Sequence, residues 1–195
     1  MSSRLAVAAA VVLCAAVAGC GGDGVTAERG FSGGAAGDGQ AQDFTLSDAW
    51  GDRVRLSDQR GRLVLLAFLY TSCRDVCPLI AQNLNGVLRG LGEQRDEVRV
   101  LAVSVDPGRD TAFAVRDNVR MHRLLPQFRY LIGGDAELRR VWQAYNVLAS
   151  ARNVDVIDHS APIVLIDEAG AARLVYDSHA DTDAMLGDIR LLLER

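Results

Sequence analysis

The order of apolar segments predicts an α/β fold, a central mixed sheet flanked by helices with an N-terminal β-hairpin, and three observations carry that reading. Continuous apolar runs over residues 63–70 and 98–105 have the length and composition of strands buried on both faces. Between them Leu79, Leu84, Val87, Leu88 and Leu91 recur at helical spacing, so the unit is strand, helix, strand, with the strands parallel. Near the C-terminus the apolar stretches 163–166 and 173–176 flank Asp167-Glu168-Ala169-Gly170, an antiparallel hairpin, and a helix follows.

Taken in order, Phe44-Thr45-Leu46 and Arg53-Val54-Arg55-Leu56 enclose a Gly-containing turn and form the N-terminal hairpin. The first buried strand, 63–70, leads into a helix over about 78–91 that ends in Gly90 and Gly92. After the second buried strand, Asp110 or Thr111 caps a helix reaching about residue 123, and 129–132 is a short strand closed by Gly133-Gly134. Asp135 caps the next helix, with Leu138, Val141, Trp142 and Tyr145 on one face. Met185, Ile189, Leu192 and Leu193 are the apolar stripe of the last helix. A βαβ half followed by a ββα half, with a hairpin added and a helix and strand inserted, is the thioredoxin-like arrangement. It spans residues 43–195 as one domain, without internal repeats.

The 195 residues carry a formal net charge of -4 and a pI near 5.4, which leaves no clustered positive charge to face phosphates and speaks against nucleic acid as a partner. All 21 basic residues are arginine, so Schiff-base and P-loop lysine mechanisms are excluded. At the N-terminus Arg4 precedes an Ala/Val/Leu run over 5–17, of signal-peptide length and too short to span a bilayer. The run ends in Val17-Ala18-Gly19-Cys20, which resembles the lipobox of bacterial lipoproteins; the resemblance implies removal of residues 1–19, Cys14 with them, and acylation of Cys20. An uncleaved anchor or an ordinary secretory signal are the alternatives, and each also exports the chain. Residues 20–42 are rich in Gly, Ala, Ser and Asp and read as a flexible tether with a root-mean-square reach on the order of 25 Å.

Two cysteines remain, Cys73 and Cys77, between a core strand and a helix. Pro78 disfavours helical geometry at Cys77 and suits the first helical position, which puts Cys77 at the helix N-cap. There the unpaired amide hydrogens and the positive end of the helix dipole favour a thiolate. Residues four apart on a helix have Cα atoms about 6 Å from each other, within disulfide range. A purely structural disulfide is the bland alternative, though so small a loop restrains few unfolded conformations. Two soft thiolates favour copper(I) or zinc over hard cations, and a third, imidazole donor suits copper better than tetrahedral zinc. Of the three histidines, His159 stands just before the strand at Ile163, the strand entrance that faces the first helix's N-terminus in this topology; His122 and His179 read as ordinary surface residues.

Tyr70-Thr71-Ser72-Cys73, Asp75-Val76-Cys77-Pro78, Val103-Ser104-Val105-Asp106-Pro107 with Arg109-Asp110-Thr111, and Asp158-His159-Ser160 resemble, in order, the signature blocks of the Sco/SenC family. The resemblance covers about residue 43 to the C-terminus. It implies one copper ion, copper(I) with copper(II) as the second state, held by Cys73, Cys77 and His159. It also implies a role in assembling the binuclear copper centre of cytochrome c oxidase, with the copper-receiving oxidase subunit as partner; the lipobox places the chain, as a lipoprotein, at the outer face of the bacterial cytoplasmic membrane. Arg74 departs from the family's usual proline after the first cysteine, and Pro162 is an unexpected residue ahead of the Ile163 strand.

A metallochaperone is therefore the leading expectation. A thiol-disulfide oxidoreductase or a redox or copper sensor using the Cys73/Cys77 pair is the alternative. A peroxiredoxin-like peroxidase is disfavoured because Thr71 lies two residues before Cys73 and six before Cys77, not four. The Asp106-to-Thr111 block reads as a turn and a helix start, without a catalytic role.

Overall fold

The structure is a computed structural model that describes residues 30–37, 39–147 and 162–194. Cys14, Cys20 and His159 lie outside the described residues. The strands are β1 (Gly34–Ala35), β2 (Thr45–Asp48), β3 (Arg53–Arg55), β4 (Leu63–Leu69), β5 (Val98–Ser104), β6 (Phe128–Ile132), β7 (Ile163–Ile166) and β8 (Ala172–Tyr176). The helices are α1 (Val76–Gly90), α2 (Ala112–Met121), α3 (Asp135–Ala144) and α4 (Thr182–Leu193), with 3-10 turns at Leu56–Gln59 and Gly92–Glu97.

Among the described residues the strands form one mixed sheet in the order β1-β8-β7-β4-β5-β6-β2-β3. The pairs β4/β5 and β5/β6 are parallel and the remaining pairs antiparallel, as the βαβ and hairpin patterns require. Every residue of β4 is buried, because alternate side chains enter two different cores. Leu63, Leu65, Ala67 and Leu69 face Ile80, Leu84, Val87 and Leu88 of α1 and Met185 and Ile189 of α4. Val64, Leu66 and Phe68 face the other way, toward Leu138, Val141 and Trp142 of α3. Gly170 closes the β7–β8 hairpin at φ 85°, in the left-handed region that glycine enters without a steric penalty. The thioredoxin-like arrangement, with an N-terminal hairpin at β2/β3, is thus observed.

Three boundaries differ from the sequence reading. Residues 30–37 and 39–42, placed in the tether by composition, pack on the domain: Phe31 enters the α1/α4 core, β1 extends the sheet beyond β8, and Gln40 bridges Ala171. The Asp188 carboxylate, 2% exposed, holds this strap by accepting the Ser32 amide (2.8 Å), the Gly33 amide (2.9 Å) and the Tyr176 hydroxyl (2.9 Å). At α3 the N-cap is Gly134 rather than Asp135, and the Glu137 carboxylate reaches back to the Gly134 amide at 2.9 Å. Helix α1 begins at Val76, two residues before Pro78, with Asp75 as its N-cap. Proline is tolerated there because the first four amides of a helix have no intrahelical acceptor, so the missing N–H of Pro78 forfeits no bond.

Candidate metal centre

The C-terminal end of β4 delivers Tyr70 and the turn that follows it, in which the Cys73 amide donates to the Tyr70 carbonyl at 3.4 Å. Helix α1 starts three residues later, which puts Cys77 inside its first turn rather than at its cap. The Cys77 amide donates to the Cys73 sulfur at 3.3 Å. Cys73 therefore does what an N-capping side chain does, presenting an acceptor to an amide that the helix leaves unpaired. Both cysteines are free thiols, Cys73 partly exposed and Cys77 8% exposed.

This geometry reverses the expected roles of the two thiols. Burial opposes ionisation of Cys73, but the Cys77 thiol, the amides of Cys77 and Asp75 and the Tyr70 hydroxyl all donate to its sulfur, and together they hold it below the ordinary thiol range. Cys77 is pushed well above that range, first by burial and then by giving its hydrogen to Cys73. The easier ionisation that the sequence predicts for Cys77 falls to Cys73, because it is the Cys73 sulfur that meets the amides at the start of α1. Tyr70 is raised by its burial and by the bond to Cys73.

A second loop, between β5 and α2, lies against the cysteine turn. The Asp106 carboxylate accepts from the Ser72 hydroxyl at 3.3 Å and pairs with Arg109. Asp110, 4% exposed, accepts from the amide (2.8 Å) and hydroxyl (2.6 Å) of Thr71 and from the Ser104 hydroxyl (2.6 Å). Burial raises its carboxyl above the usual range in spite of those bonds. Thr111 caps α2 as expected, accepting from the Ala114 amide at 3.2 Å. Local pattern shows this block only as a turn and a helix start; its hold on the cysteine turn has no local signal, since Thr71 and Asp110 are 39 positions apart.

Cys73 and Cys77 line a small cavity with Tyr70, Asn118, Tyr130 and His122. The Tyr130 hydroxyl is fully buried, and burial together with the Asp110 carboxylate beside it drives its ionisation far above the phenol range. His122 is at the rim of the cavity, its Nδ1 3.4 Å from the Gln82 amide nitrogen, while His179 is an exposed turn residue 3.9 Å from Asp177. Among the described residues no group of three or more His, Cys, Asp or Glu side chains is placed to hold a metal ion. What the described residues bring together is a pair of thiols, a soft donor set that fits copper(I).

A family model described as SCO1/SenC matches residues 34–194. An SCO2-like protein of Rickettsia felis is 27% identical over 134 residues, and the match covers 66% of this chain and 64% of that protein. The chain therefore spans somewhat less than two thirds of that relative's length. The solution structure of apo Sco1 from Thermus thermophilus matches with a TM-score of 0.69 and 30% identity, covering 83% of this chain and 96% of that one. The structure of Bradyrhizobium japonicum ScoI with copper bound matches with a TM-score of 0.68 and 28% identity, covering 79% and 99%.

Proposed function

Because the chain belongs to the SCO1/SenC family, we propose that it is an exported copper-binding assembly factor that serves the binuclear copper centre of cytochrome c oxidase. The observation that carries this reading is the paired thiol geometry, with the Cys73 sulfur 3.3 Å from the Cys77 amide at the end of β4. The copper-bound state of the Bradyrhizobium relative supports copper as the cargo. In this reading Cys73, Cys77 and His159 hold one copper ion. Soft sulfur donors stabilise copper(I), and an imidazole lets the same site accept copper(II).

The residues divide the work. Cys73 offers the more readily ionised sulfur, supported by the amides of Asp75 and Cys77 at the start of α1. Cys77 must release its proton for its sulfur to become a full donor, so uptake is favoured by rising pH and opposed by acid. His159, which precedes β7 in the sequence, would supply the third donor. Cys20, acylated, tethers the domain to the outer face of the cytoplasmic membrane; no described helix is long and apolar enough to cross it. Deleting the gene should lower oxidase activity, with restoration by the wild-type chain or by added copper and none by Cys73→Ala. Undiminished oxidase in the deletion strain would reject the assembly role. Cys20→Ser should shift the chain out of the membrane fraction.

One observation favours a second reading, reduction of the receiving subunit's cysteines. An acidic, accessible thiol beside a buried, protonated one is the arrangement of an attacking and a resolving cysteine. The Cys73 thiolate would attack the partner's disulfide, Cys77 would then displace the partner's sulfur, and Cys73–Cys77 would end oxidised as the partner leaves with two thiols. Catalytic turnover on a generic disulfide substrate, at rates independent of copper, would move this reading to the front.

A further inference from the structure

We propose that Asp110 is a positioning residue for the cysteine pair, tying the turn that carries Cys73 to the β5–α2 loop and thereby setting where the Cys73 sulfur stands relative to the start of α1. The inference rests on the pair's being the working centre of the protein.

Both carboxylate oxygens of Asp110 are committed. One accepts the amide and the hydroxyl of Thr71 at 2.8 and 2.6 Å; the other accepts the Ser104 hydroxyl at 2.6 Å. Ser104 is the last residue of β5 and wholly buried, so the carboxylate is braced against the sheet on one side and grips the turn on the other. Its own backbone is fixed as well, the Asp110 amide donating to the Asp106 carbonyl at 2.9 Å. Only Ser72 separates the gripped residue from Cys73, and the Ser72 hydroxyl reaches Asp106 in the same loop. From Leu69 to the start of α1 the other bonds either tie the strand end to β5, where the Leu69 carbonyl accepts the Val105 amide, or stay within the turn and the first turn of α1, where Cys73 bonds back to Tyr70 and its sulfur accepts the Cys77 amide.

A carboxylate suits this position for a geometric reason. Three donors converge from two directions, and an amide at the same place would present one acceptor and one donor. Asparagine with Oδ1 toward Thr71 would keep those two contacts as weaker, neutral bonds, and its NH2 would meet Ser104 only if that hydroxyl turned round to accept, so the charge-assisted grip on both sides is lost. Burying a carboxyl group is costly, and three charge-assisted bonds offset that cost only while the turn is held in place.

The test compares Asp110→Asn and Thr71→Val with Asp188→Asn, which weakens an equally buried carboxylate anchor remote from the cysteines. Three quantities are read on the whole chain: thermal midpoint, the Cys73–Cys77 disulfide equilibrium against glutathione, and copper(I) affinity by chelator competition. Asp110→Asn should weaken copper(I) binding about tenfold or more, the range seen when a partner that orients a metal ligand is lost. It should also make the disulfide several-fold less favoured, because the two sulfurs spend less time in register. Thr71→Val should move both in the same direction, and the double variant should fall short of the sum, since the two residues share one contact. Asp188→Asn should lower the thermal midpoint and leave both sulfur readouts unchanged. An Asp110→Asn chain that melts lower but keeps wild-type copper affinity and disulfide equilibrium would overturn the proposal. Absence of copper binding by the reduced wild type would overturn the functional reading instead, and the glutathione equilibrium would still decide the role of Asp110.

Discussion

Replacing Asp188 by alanine tests whether the domain begins near residue 30 rather than at the hairpin. The carboxylate takes three donors, the amides of Ser32 and Gly33 and the hydroxyl of Tyr176, at 2.8 to 2.9 Å. Hydrogen bonds to a charged acceptor contribute about 1.5–3 kcal/mol each, so simple addition would give about 5–9 kcal/mol. That sum is too large, because the two amides belong to a strap that can lift away and be hydrated. The loss is therefore capped by the free energy that holds the strap, chiefly the burial of Phe31 and the β1/β8 pairing. With about 2 kcal/mol for a buried aromatic ring and a comparable term for the Tyr176 hydroxyl, the expected loss is about 2–4 kcal/mol. For a domain of this size that lowers the thermal midpoint by roughly 5–15 °C. Calorimetry gives the midpoint, and hydrogen exchange at Ser32, Gly33 and Ala36 reports the strap directly. Phe31→Ala should combine with Asp188→Ala less than additively. A midpoint within about 1 °C of wild type, or protected strap amides in the variant, would refute the argument.

In the reduced protein iodoacetamide should modify Cys73 first, with a rate profile whose midpoint lies below that of an ordinary thiol; Cys77 should stay unreactive until well above it. Mass spectrometry of the singly modified chain decides this, and modification of Cys77 ahead of Cys73 would reverse the assignment of roles. Two glycines should respond in opposite senses. A Cβ at Gly90 would stand 2.6 Å from the Leu186 Cδ2, so Gly90→Ala should destabilise by about 1–3 kcal/mol, whereas Gly187 faces open space within α4 and Gly187→Ala should stabilise by about 0.5–1 kcal/mol. Denaturant unfolding measures both, and equal effects at the two positions would show that the α1–α4 contact is misdescribed.

The elements that were legible in the sequence are those whose signal is local. The unbroken apolar runs gave β4 and β5, the helical spacing gave α1 and α4, and Thr111 marked the start of α2. The start of α1 is not legible, because Pro78 points to a boundary at itself although a missing amide forfeits no bond anywhere in a first turn. That two-residue shift moved the preferred thiolate from one cysteine to the other. The strap could not be read from Gly- and Ser-rich composition, since one phenylalanine and a carboxylate 155 positions away decide its fate. The same holds for Asp110, whose neighbours read as turn grammar while its partner is on another loop. Cys73 and Cys77 are legible as the two cysteines left between a core strand and a helix, and the fold brings them together; His159, read from its place before the Ile163 strand and the order of the motif blocks, and Cys20, read from the lipobox, lie outside the described residues.

The central claim is that Cys73 and Cys77 form a copper site, and a copper(I) titration of the reduced whole chain against a chromophoric chelator tests it most directly. The account predicts about one equivalent bound tightly, binding abolished or greatly weakened by Cys73→Ala and by Cys77→Ala, weakened by His159→Ala, and unchanged by His122→Ala and His179→Ala. No binding by the reduced wild type, or stoichiometric binding that survives the loss of Cys73, would contradict it.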